Sequence, residues 1–262
     1  MTALTYRSYL NLPQLLSAQT PLSDAHDELL FISIHQASEI WLKLCLHELA
    51  AARERIAADD LPPAHKMMAR VGRIMAQLIG SWEVLATMTP ADYLVMRGKL
   101  GSSSGFQSDQ YRRIEFLLGN RNGKLLSVFA DEPDVQADLS TELARPSLYD
   151  ETIRLLARRG FTIDADHLTR PPADTYQSHP DVERAWAAVY ADTGAHWDLY
   201  ELAEKLVDLD YRVQLWRFGH LKTVERVIGF KKGTGGTPGV AYLAKVLEAG
   251  FFPELMSVRT TL

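Results

Sequence analysis

The chain has 262 residues, of which 47% are hydrophobic and 23% charged, and a formal net charge of −5. That is the composition of an ordinary soluble globular protein, long enough for one substantial core or two small ones. An acidic balance without a basic cluster gives no reason to propose a nucleic-acid partner, and the single Cys45 excludes a disulfide within the chain and fits a reducing cytosol. No basic segment leads into an apolar run at the N-terminus, and no stretch reaches about eighteen uncharged apolar residues. The expectation is a cytoplasmic protein that spans no membrane.

Met1 to Pro21 reads as an arm carrying Tyr6, Tyr9 and Leu10, with nothing local to bury them. Ser23 or Asp24 can cap the next helix, with Asp27 and Glu28 in its first turn, and the apolar pattern runs on to about Ile56. Phe31, Ile34, His35, Leu42, Leu46 and Leu49 give that helix its apolar side. Phe31 and His35 are four apart and so neighbours on one face. A histidine in such a setting is, taken alone, more often a hydrogen-bonded core residue than a functional one. His47-Glu48 begins like a zinc-protease motif, but Ala51 stands where the second histidine belongs.

Leu61-Pro62-Pro63 is expected to break the chain before a helix over His65 to Leu85, with Met68, Val71, Ile74 and Leu78 on its core side. Trp82, near its end, can pack on the core or on a flat cofactor. Thr89-Pro90-Ala91-Asp92 is a strong helix start, with a capping threonine, a proline at the first position and an acidic residue at the third. Tyr93 and Arg97 then lie one turn apart, where a phenol and a planar guanidinium can jointly hold a carboxylate. The same spacing also describes a solvent-exposed pair. Gly101 to Gly105 is a run of glycine and serine that allows close backbone approach or simply forms a loop. A helix over Phe106 to Leu118 follows, with Arg112, Arg113 and Glu115 at solvent or salt-bridge positions, and Gly119-Asn120 stops it.

The pattern weakens between Asn120 and Pro180, which reads as peripheral elaboration around a helix near Leu148 to Arg158, with His167 and His179 at the surface. Asp181 opens a helix expected to run unbroken to near Ile228. Leu199, Leu202, Leu206, Leu209, Val213 and Trp216, then Val224 and Val227, form its buried stripe. His220 interrupts that stripe four residues after Trp216. Gly219, directly before it, costs a helix about 1 kcal/mol relative to alanine. Five glycines after Ile228 mark a loop, and Val240 to Leu247 resumes a short helix that ends before Gly250. With no repeat and no alternating run, the fold class is all-α, a helical bundle forming one domain over 1–262.

Trp216 and His220, followed by TVERVIGFKKGTGGT, closely resemble the C-terminal signature of the tryptophan 2,3-dioxygenases. Upstream, in the family's order, come FxxxH at Phe31 and His35, YxxxR at Tyr93 and Arg97, and SGFQS beginning at Ser104. Each motif alone is weak, but their ordered co-occurrence is specific. The resemblance runs from about Leu4 to Leu243 and is weakest between Asn120 and Pro180. It implies an all-helical enzyme enclosing haem b, active as Fe2+. That enzyme inserts O2 across the indole C2–C3 bond of L-tryptophan to give N-formyl-L-kynurenine, the first step of the kynurenine pathway. It implies His220 as the proximal iron ligand, with Trp82 and Trp216 beside the macrocycle. It also implies Arg97 on the substrate carboxylate assisted by Tyr93, and Thr234 at the amino-acid end. Phe31 would lie on the indole, His35 would accept the indole N–H, and Ser104 and Gly105 would stand in the wall. The N-terminal arm (1–21), with Tyr6, Tyr9 and Leu10, would reach a neighbouring subunit of a homotetramer, a dimer of dimers.

A related haem oxidase or hydroxylase of another aromatic amino acid, or of a substituted tryptophan, is the alternative on the same scaffold. GFKKGTGGTPG does not make a nucleotide-binding loop, because a helix precedes it and its lysines come too early. A colourless helical scaffold is the third reading.

Overall fold

The computed structural model describes residues 3–231, 233 and 239–262. Among them the secondary structure is helical, without strands. The helices are α1 (Tyr6–Tyr9), α2 (Leu12–Leu15), α3 (Glu28–Ala57), α4 (Leu61–Leu85), α5 (Pro90–Arg97), α6 (Asp109–Leu118) and α7 (Pro133–Leu143). They continue as α8 (Leu148–Arg158), α9 (Ala165–Leu168), α10 (Pro180–Ala191), α11 (Trp197–Ile228), α12 (Val240–Leu247) and α13 (Pro253–Thr261).

Three long rods organise the bundle. α4 packs along both α3 and α11, and α8 and α6 close the other side of α3. The main core joins Leu42, Leu49 and Ile56 of α3, Met68, Val71 and Leu78 of α4, and Leu199, Leu206 and Leu209 of α11. A smaller cluster at the other end gathers Leu85, Met88, Tyr93, Met96 and Val227, with Phe31, Ile34 and Trp82 packed against it. That second cluster is where the sequence motifs converge.

The helix boundaries correct the sequence expectations in four places. Neither Ser23 nor Asp24 caps α3. The buried Glu28 carboxylate instead accepts from Leu22 N (2.7 Å), Ser23 N (2.8 Å) and the Ser23 hydroxyl, so the turn closes before the helix begins. Pro62 and Pro63 do not precede the second helix but fill its first turn, where a missing N–H costs nothing. The helix expected from Asp181 is two helices. Asp192 ends α10, its carboxylate accepting from Ala195 N at 3.0 Å, and α11 starts afresh at Trp197. The helix expected from Phe106 begins as a short 3-10 turn over Gly105–Gln107, and Ser108 then caps α6.

The middle of the chain is less peripheral than its weak pattern suggests. α8 falls where expected, yet Leu148, Tyr149, Ile153, Leu155 and Leu156 all belong to the main core. Tyr149 donates to the buried Glu254 at 2.9 Å and accepts from Trp186 Nε1 at 3.1 Å. His167 and His179 are half-buried with their rings 4.6 Å apart, and His179 caps α10 by accepting from Asp181 N at 3.2 Å.

By length and composition α3 is also apolar enough to cross a membrane, which the count of uncharged residues did not anticipate. Its second half is a core helix, carrying buried Leu42, Cys45, Leu49, Ala52 and Ile56. Its first half exposes Leu29, Ile40 and Trp41.

Candidate functional site

Two histidines approach each other from the two outer rods. His35 stands on the first half of α3, and His220 near the C-terminal end of α11. They are close enough that a charge on His35 acts on His220. Burial drives the His220 pKa down to about 4, with His35 adding to the effect. The residue as a whole is half-buried. With its pKa that low, the His220 imidazole is a neutral base at neutral pH.

The surroundings of His220 are aromatic. The Trp82 indole stacks on it with centroids 4.8 Å apart and planes 7° from parallel, and Trp216 lies tilted at 6.0 Å. Trp82 Nε1 donates to the Trp216 carbonyl at 3.0 Å. Trp216 also packs on Tyr111 at 4.8 Å, and its own buried Nε1–H has no partner among the described residues. Trp82 therefore lies on the proposed ligand itself, a more specific position than the core-or-cofactor choice open in the sequence.

His35 is oriented by its own helix. Its Nδ1 lies 2.7 Å from the Phe31 carbonyl one turn earlier. A carbonyl only accepts, so Nδ1 carries the proton and Nε2 is left with a lone pair. Burial lowers the His35 pKa, opposed in part by the Phe31 carbonyl and Glu39, which favours this neutral form. The Phe31 ring packs at 4.2 Å on the imidazole and at 6.3 Å on Tyr93. Tyr93 is buried, and the Arg97 guanidinium lies 6.0 Å from its ring centre. The capping box at Thr89 fixes the start of the short α5 that carries both, with Asp92 returning a 2.9 Å bond to Thr89 N.

Tyr93 and Arg97 line a cavity of about 270 Å³ with Pro90, Val227, Ile228 and Lys231. α5 and the end of α11 thus form its walls, and the glycine loop leaves α11 at its rim. Thr234 lies outside the described residues. The structure brings Phe31, His35, Tyr93, Arg97, Trp82, Trp216 and His220 into one region.

Ser104 and Gly105 form the capped 3-10 turn, with Ser104 N donating to Gln107 Oε1 at 3.1 Å, and Phe106 meets Tyr242 of α12 edge-on at 5.5 Å. Tyr6, Tyr9 and Leu10 are 76%, 72% and 40% exposed. The arm is tied down only later, where Gln36 on α3 donates to Ala18 O at 2.9 Å and accepts from Gln19 at 2.6 Å.

Sequence reading missed a buried ionic group beside Trp216. Arg217 donates to Tyr111 Oη and to Glu115, both at 2.9 Å, and to Ala249 O at 2.8 Å. Arg112 pairs with the same Glu115. Arg112 and Glu115 thus form a salt bridge, one of the two expected roles, but in the interior, while Arg113 pairs with Asp109 and Asp138 nearer the surface. The signal available was the spacing of Tyr111 and Glu115, which puts a phenol and a carboxylate on one face of α6.

A family model described as tryptophan 2,3-dioxygenase matches residues 1–146 and 142–262. The chain is 61% identical to the tryptophan 2,3-dioxygenase of Erythrobacter litoralis over 98% of both chains. It is 58% identical to that of a Bradyrhizobium species, over 99% of this chain and 93% of the relative. It is 57% identical to that of Cupriavidus necator, over 99% of this chain and 88% of the relative.

Proposed function

The chain belongs to the tryptophan 2,3-dioxygenase family, and from that premise we propose how its residues carry out the reaction. The enzyme is an oxidoreductase that adds both atoms of O2 across the C2–C3 bond of the indole of L-tryptophan. That bond breaks and N-formyl-L-kynurenine forms, with no other reactant and no net proton released. The alternative, an oxidase or hydroxylase of another aromatic amino acid, finds no support in the names of the relatives.

The cofactor we propose is haem b in its ferrous form. The residues present fit such a group: a neutral imidazole at His220 on a long helix, the flat rings of Trp82 and Trp216 beside it, and an unpartnered buried indole N–H on Trp216. His220 would be the iron ligand, and the bound group would supply dioxygen binding and the oxidative chemistry. The chain's own contribution is orientation.

On the substrate side, the Nε2 lone pair of His35 accepts the indole N–H, and Phe31 packs on the indole face. Since O2 addition needs no strong base, His35 positions the substrate rather than deprotonating it. Arg97 pairs with the carboxylate from the wall of the cavity, with Tyr93 beside it. Thr234 would bond the amino-acid end from the glycine loop, and Ser104 and Gly105 would close one side. Tyr6, Tyr9 and Leu10, exposed on their own chain, would wall the site of a neighbouring subunit in a cytoplasmic homotetramer. The exposed Leu29, Ile40 and Trp41 on α3 offer further apolar surface for that assembly.

The observation that carries this reading is the pair of neutral histidines, His220 with Trp82 on its face and His35 with its proton committed to Phe31. The test uses haem-loaded protein reduced under nitrogen, then given L-tryptophan and air. N-formylkynurenine absorbance and mass are the expected readouts. His220→Ala should no longer hold haem stably, and a normal haem spectrum in that variant would overturn the ligand assignment.

A further inference from the structure

Trp82 and Gly219 make a seat for the imidazole of His220. The Trp82 ring stacks on the imidazole with nearly parallel planes, and its Nε1–H is fixed on the carbonyl of Trp216. In α11 that carbonyl is also the acceptor four residues before the His220 amide, so the indole is pinned to the same helical turn that presents the histidine. The indole comes from α4, a different rod, and its position is independent of the histidine's own rotamer.

The approach depends on the residue before the histidine. A Cβ at position 219 would stand 2.7 Å from Trp82 Cδ1 and 3.4 Å from Cγ, inside contact distance of a rigid ring. A residue with a side chain would push the indole away from this turn. The glycine, unfavourable for the helix, thus has a packing role that its sequence position did not disclose.

We infer that Trp82, admitted to close range by Gly219, is a positioning residue that sets the rotation of the His220 imidazole about its side-chain axis. The role rests on His220 being the iron ligand. It assigns Trp82 an action through the histidine rather than through the substrate, whose proposed contacts come from α3, α5 and the loops and not from α4.

The experiment uses holoenzyme carrying Trp82→Phe, Trp82→Leu, Gly219→Ala or both Trp82→Leu and Gly219→Ala, each checked by circular dichroism. Three quantities are read: the iron–histidine stretching band of the ferrous protein by resonance Raman, the rate of haem transfer to apomyoglobin, and KM for L-tryptophan. Trp82→Leu should shift or broaden the band and speed haem loss about tenfold, with KM changed less than twofold. Trp82→Phe, which keeps a ring but loses the bond to Trp216, should fall between. Gly219→Ala should move the band in the same direction as Trp82→Leu, and should add nothing once Trp82 is leucine.

An unshifted band with normal haem retention in Trp82→Leu and Gly219→Ala would overturn the inference, as would strictly additive effects of the two substitutions. Should Trp82→Leu fail to fold, the phenylalanine and alanine variants decide the matter by the same band. His220→Ala separates the two levels: haem retained there removes the ligand assignment, whereas haem lost there with an indifferent Trp82 removes only the seat.

Discussion

The carbonyl of Phe31 lies 2.7 Å from Nδ1 of His35 and accepts a hydrogen bond from it, so one turn of helix decides which ring nitrogen keeps its lone pair. The ring of the same Phe31 packs on that imidazole, fixing tautomer and tilt together. His35→Phe should keep the packing and lose the acceptor. KM for L-tryptophan should rise about 2- to 10-fold, the range for one net hydrogen bond of about 0.5–1.5 kcal/mol. N1-methyl-tryptophan, which has no indole N–H, should discriminate poorly between wild type and variant. An equal loss with both substrates would remove the acceptor role.

The pH dependence follows from the direction of the His35 shift. Burial lowers this pKa below that of an ordinary histidine, so the neutral acceptor persists as pH falls through the ordinary histidine range. KM for L-tryptophan should stay flat from about pH 8 to about 6.5 and rise only below that. A rise centred at or above 6.5 would contradict the desolvated setting.

The same sign governs the stability of haem-free protein. His220 titrates near 4 when folded and near 6.5 when unfolded, so its contribution is complete above 6.5 and is lost as pH falls toward 4. The amount is on the order of 3 kcal/mol. Urea unfolding of the haem-free chain across that window should show a steeper loss than in His220→Phe. Identical slopes would mean that the imidazole is not desolvated.

Arg97→Leu should weaken substrate binding by about 2–5 kcal/mol if the pair with the carboxylate is desolvated. Tryptamine, lacking the carboxylate, is the control: its weak binding should be indifferent to the substitution. Unchanged affinity for L-tryptophan in Arg97→Leu would take Arg97 out of the site.

Arg217→Met tests the ionic group beneath Trp216. It strands part of Glu115 and the Tyr111 hydroxyl in the interior and frees the carbonyls at the end of α12. Unfolding free energy should drop by about 3–5 kcal/mol, seen as a lower urea midpoint. A change under about 1 kcal/mol would show that the group is not a structural tie.

Much of the site was legible because it is written in short helical spacings. Phe31 with His35, Tyr93 with Arg97, and Trp216 with His220 are each one turn apart, and a helix makes such neighbours wherever it forms. The capping box at Thr89 and the stop at Gly119 are equally local, and both are present. What stayed hidden depends on contacts between distant segments. Nothing in the run from Asn120 to Pro180 says that Tyr149 will meet Glu254, 105 residues away. Likewise, nothing near Gly219 discloses an indole arriving from position 82. The break at Asp192 was masked because α10 and α11 each keep a helical pattern, and the three-residue Asp192 carboxylate turn between them is too short to disrupt it. Thr234 lies outside the described residues.

The uninterrupted length of α3 has a mechanical consequence. His35 and Ile56 are on one rod about 30 Å apart, and the main-core packing that anchors it begins at Leu42, about 10 Å along the helix from His35. Rotation along a helix accumulates at about 100° per residue, so one residue deleted between Leu42 and Ile56 would swing Phe31 and His35 to another side while leaving their own surroundings unaltered in sequence. α11 relates His220 to Leu199 and Leu206 in the same way, and α4 grips both rods. The two histidines are thus the tips of a pair of callipers whose hinge is the core, and their separation is gauged by leucines that never touch the substrate.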